Sequence, residues 1–315
     1  MKTILLSCVA VMLITSGMAQ NGVNLKMNLE KNKVYRFRSD SEQTITQTLN
    51  GNQLTTESKV NNIVSIRMVD LTDLFLITEV HFDTLISISN TMGKTIKTSS
   101  ISEGNIRSAE TDEVISYIMN QLSKNALYIK IDFSGKVLDI LNAKMLSDVI
   151  LKDTSSITLA APMASAVKTQ IKNMVSDISL KSMVEIFTCY LPGKQVSTGE
   201  DWKITLVTNS GGMTLNNLTN YHLDGVSGNS ANIIAESNIK AADNANPIES
   251  GGAKIFYDEI KGISKSNVVI DIRTGLLVEG NTKTQIAGNL GVSVPGMSMQ
   301  IPVEIKGTSK VVALQ

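Results

Sequence analysis

The feature that most limits what this chain can fold into is its alternation of apolar and polar residues over stretches much longer than an ordinary strand. Tyr35, Phe37, Ile45 and Leu49 share one parity, while Arg36, Arg38, Asp40, Glu42 and Thr44 share the other. A period of two puts the sets on opposite faces of an extended strand, one on a core and one in water. Asn50-Gly51-Asn52 supplies a hairpin turn, because Asn and Gly tolerate positive φ. Leu54, Val60, Val64, Ile66 and Met68 continue on one face of the next strand, and Asp70-Leu71-Thr72-Asp73 turns the chain again. Leu74 to Ile88 reads as a third strand and Met92 to Ser102 as a weaker fourth, which makes an antiparallel meander. Ser, Thr and Asn, at 33, 27 and 26 residues, supply the wet face of such strands.

The period then changes. Thr111 is placed to cap a helix whose first turn carries Asp112 and Glu113 and whose stripe is Val114, Ile118, Met119 and Leu122. Tyr128 to Phe133 and Lys136 to Leu141 return to strand around Ser134-Gly135. From Asn142 to Cys189 the spacing is helical. Met145, Leu146, Val149 and Ile150 form one stripe, and Val167, Ile171, Met174, Val175 and Ile178 a second behind Pro162. Leu180, Met183, Val184 and Phe187 form a third, which Leu191-Pro192-Gly193 ends. Strands resume at Trp202 and run to Val312, with residues 241–252 as the clearest loop.

Two weak similarities recur in the same order. Residues 128–138, Tyr-Ile-Lys-Ile-Asp-Phe-Ser-Gly-Lys-Val-Leu, resemble residues 267–277, Asn-Val-Val-Ile-Asp-Ile-Arg-Thr-Gly-Leu-Leu. Val60-Asn61-Asn62-Ile63 with the later Glu79 resembles Leu215-Asn216-Asn217-Leu218 with the later Glu236. Two unrelated hairpins would share Asp and Gly as turn residues, but the shared order favours duplication. The expected divisions are a leader at 1–19, an N-terminal β-rich half at 20–141, a helical insert at 142–194 and a C-terminal β-rich half at 195–315. No flexible linker separates the halves, so 20–315 reads as one merged body. The fold class is α+β, mainly β: long curved antiparallel sheet from two weakly similar halves. Amphipathic helices are inserted between them and packed on the concave side of the sheet.

Met1-Lys2-Thr3, the apolar run Ile4 to Ile14 and the small residues before Gln20 read as a secretory signal peptide cut after Ala19. Ser7-Cys8 raises lipoprotein processing as an alternative, but too few apolar residues precede it. Cleavage leaves Cys189 as the only thiol, so no internal disulfide staples the exported chain and its core must carry stability alone. Cys189 sits in an apolar run and reads as a buried, inert thiol.

Twenty-nine basic and 29 acidic side chains cancel. That balance excludes a basic groove built to neutralise phosphates, and so a nucleic-acid partner, and it excludes a polybasic membrane patch. Thirteen aromatics are too few for a stacking platform, and no apolar run after the leader is long enough for a transmembrane helix. Glu79, His81 and Asp83 share a strand face, but the outer two stand too far apart to ligate one ion easily, and a solvated sheet face explains them. A Zn site needing Cys is implausible with one Cys. Gly193-Lys194 lacks the rest of a phosphate loop. No catalytic residue, metal or cofactor is expected.

Leu191-Pro192-Gly193-Lys194-Gln195-Val196-Ser197-Thr198-Gly199-Glu200-Asp201-Trp202 is the most distinctive stretch. It reads as a helix-to-strand corner, with Trp202 as the first core residue of the second half. Together with the leader and the Thr-rich strands, this Leu-Pro-Gly-Lys-x-Val-x-x-Gly-Glu-Asp-Trp segment resembles a family of exported bacterial proteins of unknown function, common in Bacteroidota-type genomes. The resemblance implies export and brings no site residues. The residues themselves point to a periplasmic or secreted, non-catalytic carrier or binding protein for an apolar or lipid-like ligand. Met145, Val149, Val167, Ile171, Met174 and Met183 are the expected apolar lining, flexible thioethers among them. The alternative is a structural or protein-interaction module of the cell envelope.

Overall fold

The computed structural model describes residues 22–210, 212–243, 245–250 and 252–314; the leader, its cleavage point and Cys8 lie outside them. The alternating stretches become strands of up to 20 residues. A short β1 (Val23–Leu25) precedes the first half: β2 (Val34–Leu49), β3 (Asn52–Leu71), β4 (Leu76–Thr91), β5 (Lys94–Ser99), α1 (Thr111–Lys124), β6 (Leu127–Ile131) and β7 (Val137–Ile140). The insert carries α2 (Ala143–Lys152), a 3₁₀ turn at Asp153–Ser156, α3 (Ala161–Met174) and α4 (Asp177–Thr188). Then come β8 (Lys194–Val196), β9 (Asp201–Ser210), β10 (Met213–Ser227), β11 (Ser230–Ala241), β12 (Ile248–Ser250), β13 (Ala253–Phe256), β14 (Lys261–Asp271), β15 (Leu276–Val294) and β16 (Met297–Leu314).

One antiparallel sheet joins both halves in the order β7-β6-β4-β3-β2-β16-β15-β14-β11-β10-β9. The path is open, with β7 and β9 at its ends. The halves meet where β2 pairs β16, Ser41 opposite Ser309. Each half runs a three-strand meander, then an insertion, then a hairpin: β2-β3-β4 to β6-β7, and β9-β10-β11 to β14-β15. The hairpins are the two segments that resemble each other in sequence, and both turns are built alike. Asp132 Oδ1 accepts the N–H groups of Ser134 and Lys136, and Asp271 Oδ1 accepts that of Arg273. Gly135 and Gly275 stand at φ 84° and 71°. A Cβ on Gly135 would lie 1.8 Å from the Thr188 carbonyl oxygen, and one on Gly275 would lie 2.4 Å from that of Lys26. Only glycine lets backbone approach that closely.

The N-terminal segment ties the two hairpins together. Met27 N donates to Phe133 O and Asn28 N to Thr274 O, both at 2.8 Å. β1 pairs with β8, and Leu25 and Met27 are fully buried.

All four helices lie on one face of the sheet. Phe37, Ile66, Val80, Phe82 and Ile129 from the strands pack with Val114, Ile118, Ile150, Ile171 and Val184 from the helices. A second, smaller core fills the same face at the far end of the long strands, around Leu215, Tyr257, Ile286, Val303 and Ile305.

Several local expectations are corrected. Thr111 does not cap α1; Glu110 holds the N-cap position without a side-chain bond, while Thr111 Oγ1 donates to Met163 Sδ. The second helical stripe breaks at Val175, because Ser176 caps a new helix through the Ser179 N–H, and this leaves Ile178 exposed on α4. The loop at 241–252 contains β12, which pairs with β13. The helix-free face is itself concave across the middle of the sheet: Ile88 of β4 and Ile234 of β11, six strands apart, line one groove there. Long coiled strands bend a sheet in two directions, so helices do not monopolise the hollow side.

Candidate functional site

Inward parity along the strands is not uniformly apolar. On β14 it reads Gly262, Ser264, Ser266, Val268, Ile270; on β10 it reads Leu215, Asn217, Thr219, Tyr221, Leu223. The register aligns the polar middles of neighbouring strands into a hydroxyl belt between the two cores. Its members satisfy one another across strands: Thr219 with Ser237 at 2.7 Å, Ser264 with Thr284 at 3.0 Å, Ser266 with Thr282 at 2.8 Å. Asn217 Nδ2 donates to Thr208 Oγ1 at 2.7 Å. Such pairs make polar groups tolerable beneath a helix.

That helix is α4, and it is fastened to both halves. Thr188 Oγ1 donates to the Gly135 carbonyl at 2.6 Å, and Glu185 Oε1 accepts the Val137 N–H at 3.0 Å, both in the β6–β7 hairpin. Asn209 of β9 donates its N–H to Ser182 Oγ at 3.4 Å. Between α4 and strands β9, β10, β11, β14, β15 and β16 lies a groove of about 340 Å³. Ser182, Glu185, Ile186 and Cys189 form its roof, the hydroxyl belt its floor, and Val268, Leu277 and Val311 its apolar end. Tyr221 also lines the groove, and behind it Trp202 stacks on its ring with centroids 5.6 Å apart while the indole Nε1 donates to the Tyr190 carbonyl.

Burial governs ionisation here. Glu185 is 7% exposed, and desolvation raises its carboxyl above the usual range against the Val137 N–H bond. Burial, and then the charge of Glu185, pushes the Cys189 thiol well up, so it keeps its proton at neutral pH. Tyr190 and Tyr221 are raised by the same desolvation.

The six residues expected to line a ligand site fall elsewhere. Val167 and Ile171 are core residues of α3, and Met174 and Met183 pack half-buried against the same core. Met145 and Val149 are exposed, at 59% and 43%, because α2 buries the adjacent Leu146 and Ile150 instead. None of the six lines the groove under α4. The signal that marks the groove is polar rather than apolar: Ser182, Glu185 and Cys189 recur at i, i+3 and i+7 on one helix face, above Ser and Thr at inward strand positions.

On the opposite face Glu79 bonds both Arg67 and His81, and Arg67 foremost holds its carboxyl below the usual range. His222 Nδ1 lies 2.7 Å from Asp201, and Asp83 pairs with Arg36 at 3.1 Å. Among the described residues no group of three or more His, Cys, Asp and Glu could hold a metal ion, and no helix is long and apolar enough to cross a membrane.

These features define a mainly β protein: an open antiparallel sheet with a helical cover on one face. The chain belongs to a family of unknown function (DUF6263), whose model matches residues 75–277. No curated protein matches the sequence. Among solved structures the chain is similar to one described as lipid–protein interactions in lipovitellin, with 9% identity, a TM-score of 0.48 and 91% of this chain covered. The match covers 26% of the lipovitellin chain, so this protein spans about a quarter of it. An outer membrane channel from Pseudomonas putida F1 matches at 8% identity and a TM-score of 0.27, covering 91% of this chain and 97% of that one. OpdQ of Pseudomonas aeruginosa matches at 7% identity and 0.24, covering 90% and 100%. Likenesses at these scores do not bear on function.

Proposed function

We propose that this is an exported, non-catalytic protein that holds an amphipathic, lipid-like molecule in the groove beneath α4. The observation that supports this reading is the lining. A helix roofs a space of about 340 Å³ that is apolar at its end and hydroxyl-lined through its middle. That volume falls in the range of small-molecule sites. A chain laid against Val268, Leu277 and Val311 leaves water, and a polar head or glycerol-like linker exchanges water for Ser and Thr hydroxyls. Glu185 adds an acceptor at the roof. The leader read at residues 1–19 supports a location in the periplasm or outside the cell.

Native mass spectrometry of protein purified without detergent tests the reading. The expected result is a mass increment that solvent extraction recovers as a lipid, diminished in Ser237→Phe, which fills the belt. Protein that carries no extractable lipid, takes up no apolar probe and instead retains a stoichiometric envelope protein would overturn it.

A further inference from the structure

On the helix-free face, within a groove whose lining carries Asp40, Glu42 and Glu236 beside four lysines, like charges stand next to each other. Lys265 of β14 stands directly opposite Lys283 of β15, and Lys283 lies diagonal to Lys306 and Lys310 of β16. Like charges facing each other across strands cost stability. Three of these lysines are compensated on the same face, Lys265 by Glu236 at 2.8 Å, Lys306 by Glu304 at 2.8 Å and Lys310 by Glu279 at 3.1 Å with Asp40 of β2 directly opposite it, and Lys59 across the groove pairs with Glu42 at 2.8 Å. No carboxylate among the described residues pairs with Lys283. The four ammonium groups do not sit on a flat surface. They lie in and beside a groove of about 780 Å³ that the concave face forms between β4 and β11. Low-dielectric walls in such a hollow focus the field of its charges. Ile88 on one bank and Ile234 on the other are the groove's large apolar side chains, and Asn267 lies two pairs along from Lys265 and Lys283, next on the same face.

The Lys265–Lys283 pair, two ammonium groups directly opposite in register with Lys283 left without a carboxylate partner among the described residues, is the kind of local inconsistency that functional sites retain. We infer that this groove is a second binding site, distinct from the one under α4, for a single-chain amphiphile with an anionic head. The head, a phosphate or carboxylate, is held by Lys283 with Lys265 and Lys310, and the hydrocarbon lies between Ile88 and Ile234. An anionic head bound between them offsets the repulsion of the facing lysines, so binding and relief of strain act together. Occupancy weakens as salt screens the exposed lysines.

Calorimetry on the full chain at low salt, with dodecyl phosphate, dodecyl maltoside and inorganic phosphate as probes, tests this. Dodecyl phosphate is expected to bind about tenfold more weakly to Lys283→Gln than to the parent, with dodecyl maltoside unchanged between the two. Lys203→Gln, on the same face but outside the groove, is expected to bind like the parent. Inorganic phosphate is expected to compete only at much higher concentration, because it lacks the chain. Lys283→Gln removes a repulsion, so its thermal midpoint is expected not to fall, which separates lost binding from lost fold. Three results would each overturn the site: dodecyl phosphate indifferent to Lys283→Gln, dodecyl maltoside weakened equally by it, or inorganic phosphate binding as tightly as the amphiphile. Loss of dodecyl phosphate binding in Ser237→Phe with no effect of Lys283→Gln would assign the probe to the inner groove alone.

Discussion

Glu185 is the residue where stability and function pull against each other. Its carboxylate caps the Val137 N–H from within a buried roof, and burial raises its pKa. A raised carboxyl favours the folded state below the ordinary carboxylate range, and that contribution is lost as pH rises through the folded value. Glu185→Gln keeps the acceptor and removes the charge. Its thermal midpoint at neutral pH is therefore expected to rise by roughly 2 °C over the parent, with a flatter dependence on pH above the carboxylate range. A variant less stable than the parent at neutral pH would contradict a buried, desolvated carboxylate. Gly135 makes the complementary case in the backbone. Gly135→Ala meets the Thr188 carbonyl at positive φ and is expected to cost roughly 3 kcal/mol or more by denaturant unfolding. Gly51→Ala, also at positive φ but with nothing within 4 Å, is expected to cost about 1 kcal/mol. Sequence alone marks both as turn glycines. It does not show that one of them touches a helix terminus 53 residues away.

Among the elements, the strands were the most legible, because a period of two survives any register. Trp202 also falls where the corner motif puts it, 8% exposed and against Tyr221. The helices were less legible. Apolar stripes say that a helix is buried on one side without saying which neighbour covers it, and on α2 two adjacent apolar rows competed for the buried face. Met145 and Val149 lost that competition to Leu146 and Ile150. The groove was illegible for a related reason. It is built from polar residues on the inward parity, and those declare themselves only once register aligns six strands. Helix α4 is the element on which the account leans most. Ser176 caps it, so Ser176→Ala is expected to destabilise by about 1 kcal/mol. Hydrogen exchange is expected to quicken first in α4 and at Val137 and Asn209, whose N–H groups it receives. Unchanged protection there would mean that α4 is not held as described.

Across the whole molecule, the two ends of one open sheet, with similar strand order in each, are cross-linked by the N-terminal segment and by α4. Met27 is fully buried, and its N–H reaches one hairpin while that of Asn28 reaches the other. Met27→Ala is expected to cost roughly 2–5 kcal/mol and to lower a single unfolding transition. Two separate transitions would show that the halves are independent. The same architecture exposes one face to anions and roofs the other with a helix, so each face presents a different chemistry. Trp202, the only tryptophan, stacks on Tyr221, which lines the roofed groove. That gives the most direct test of whether a lipid chain lies there. Fluorescence of the full chain is titrated with a fatty acid brominated along its chain, beside its unbrominated counterpart. Saturable quenching by the brominated chain alone, lost in Ser237→Phe, is the predicted result. Binding of both acids with equal fluorescence, or binding of neither, would contradict the account.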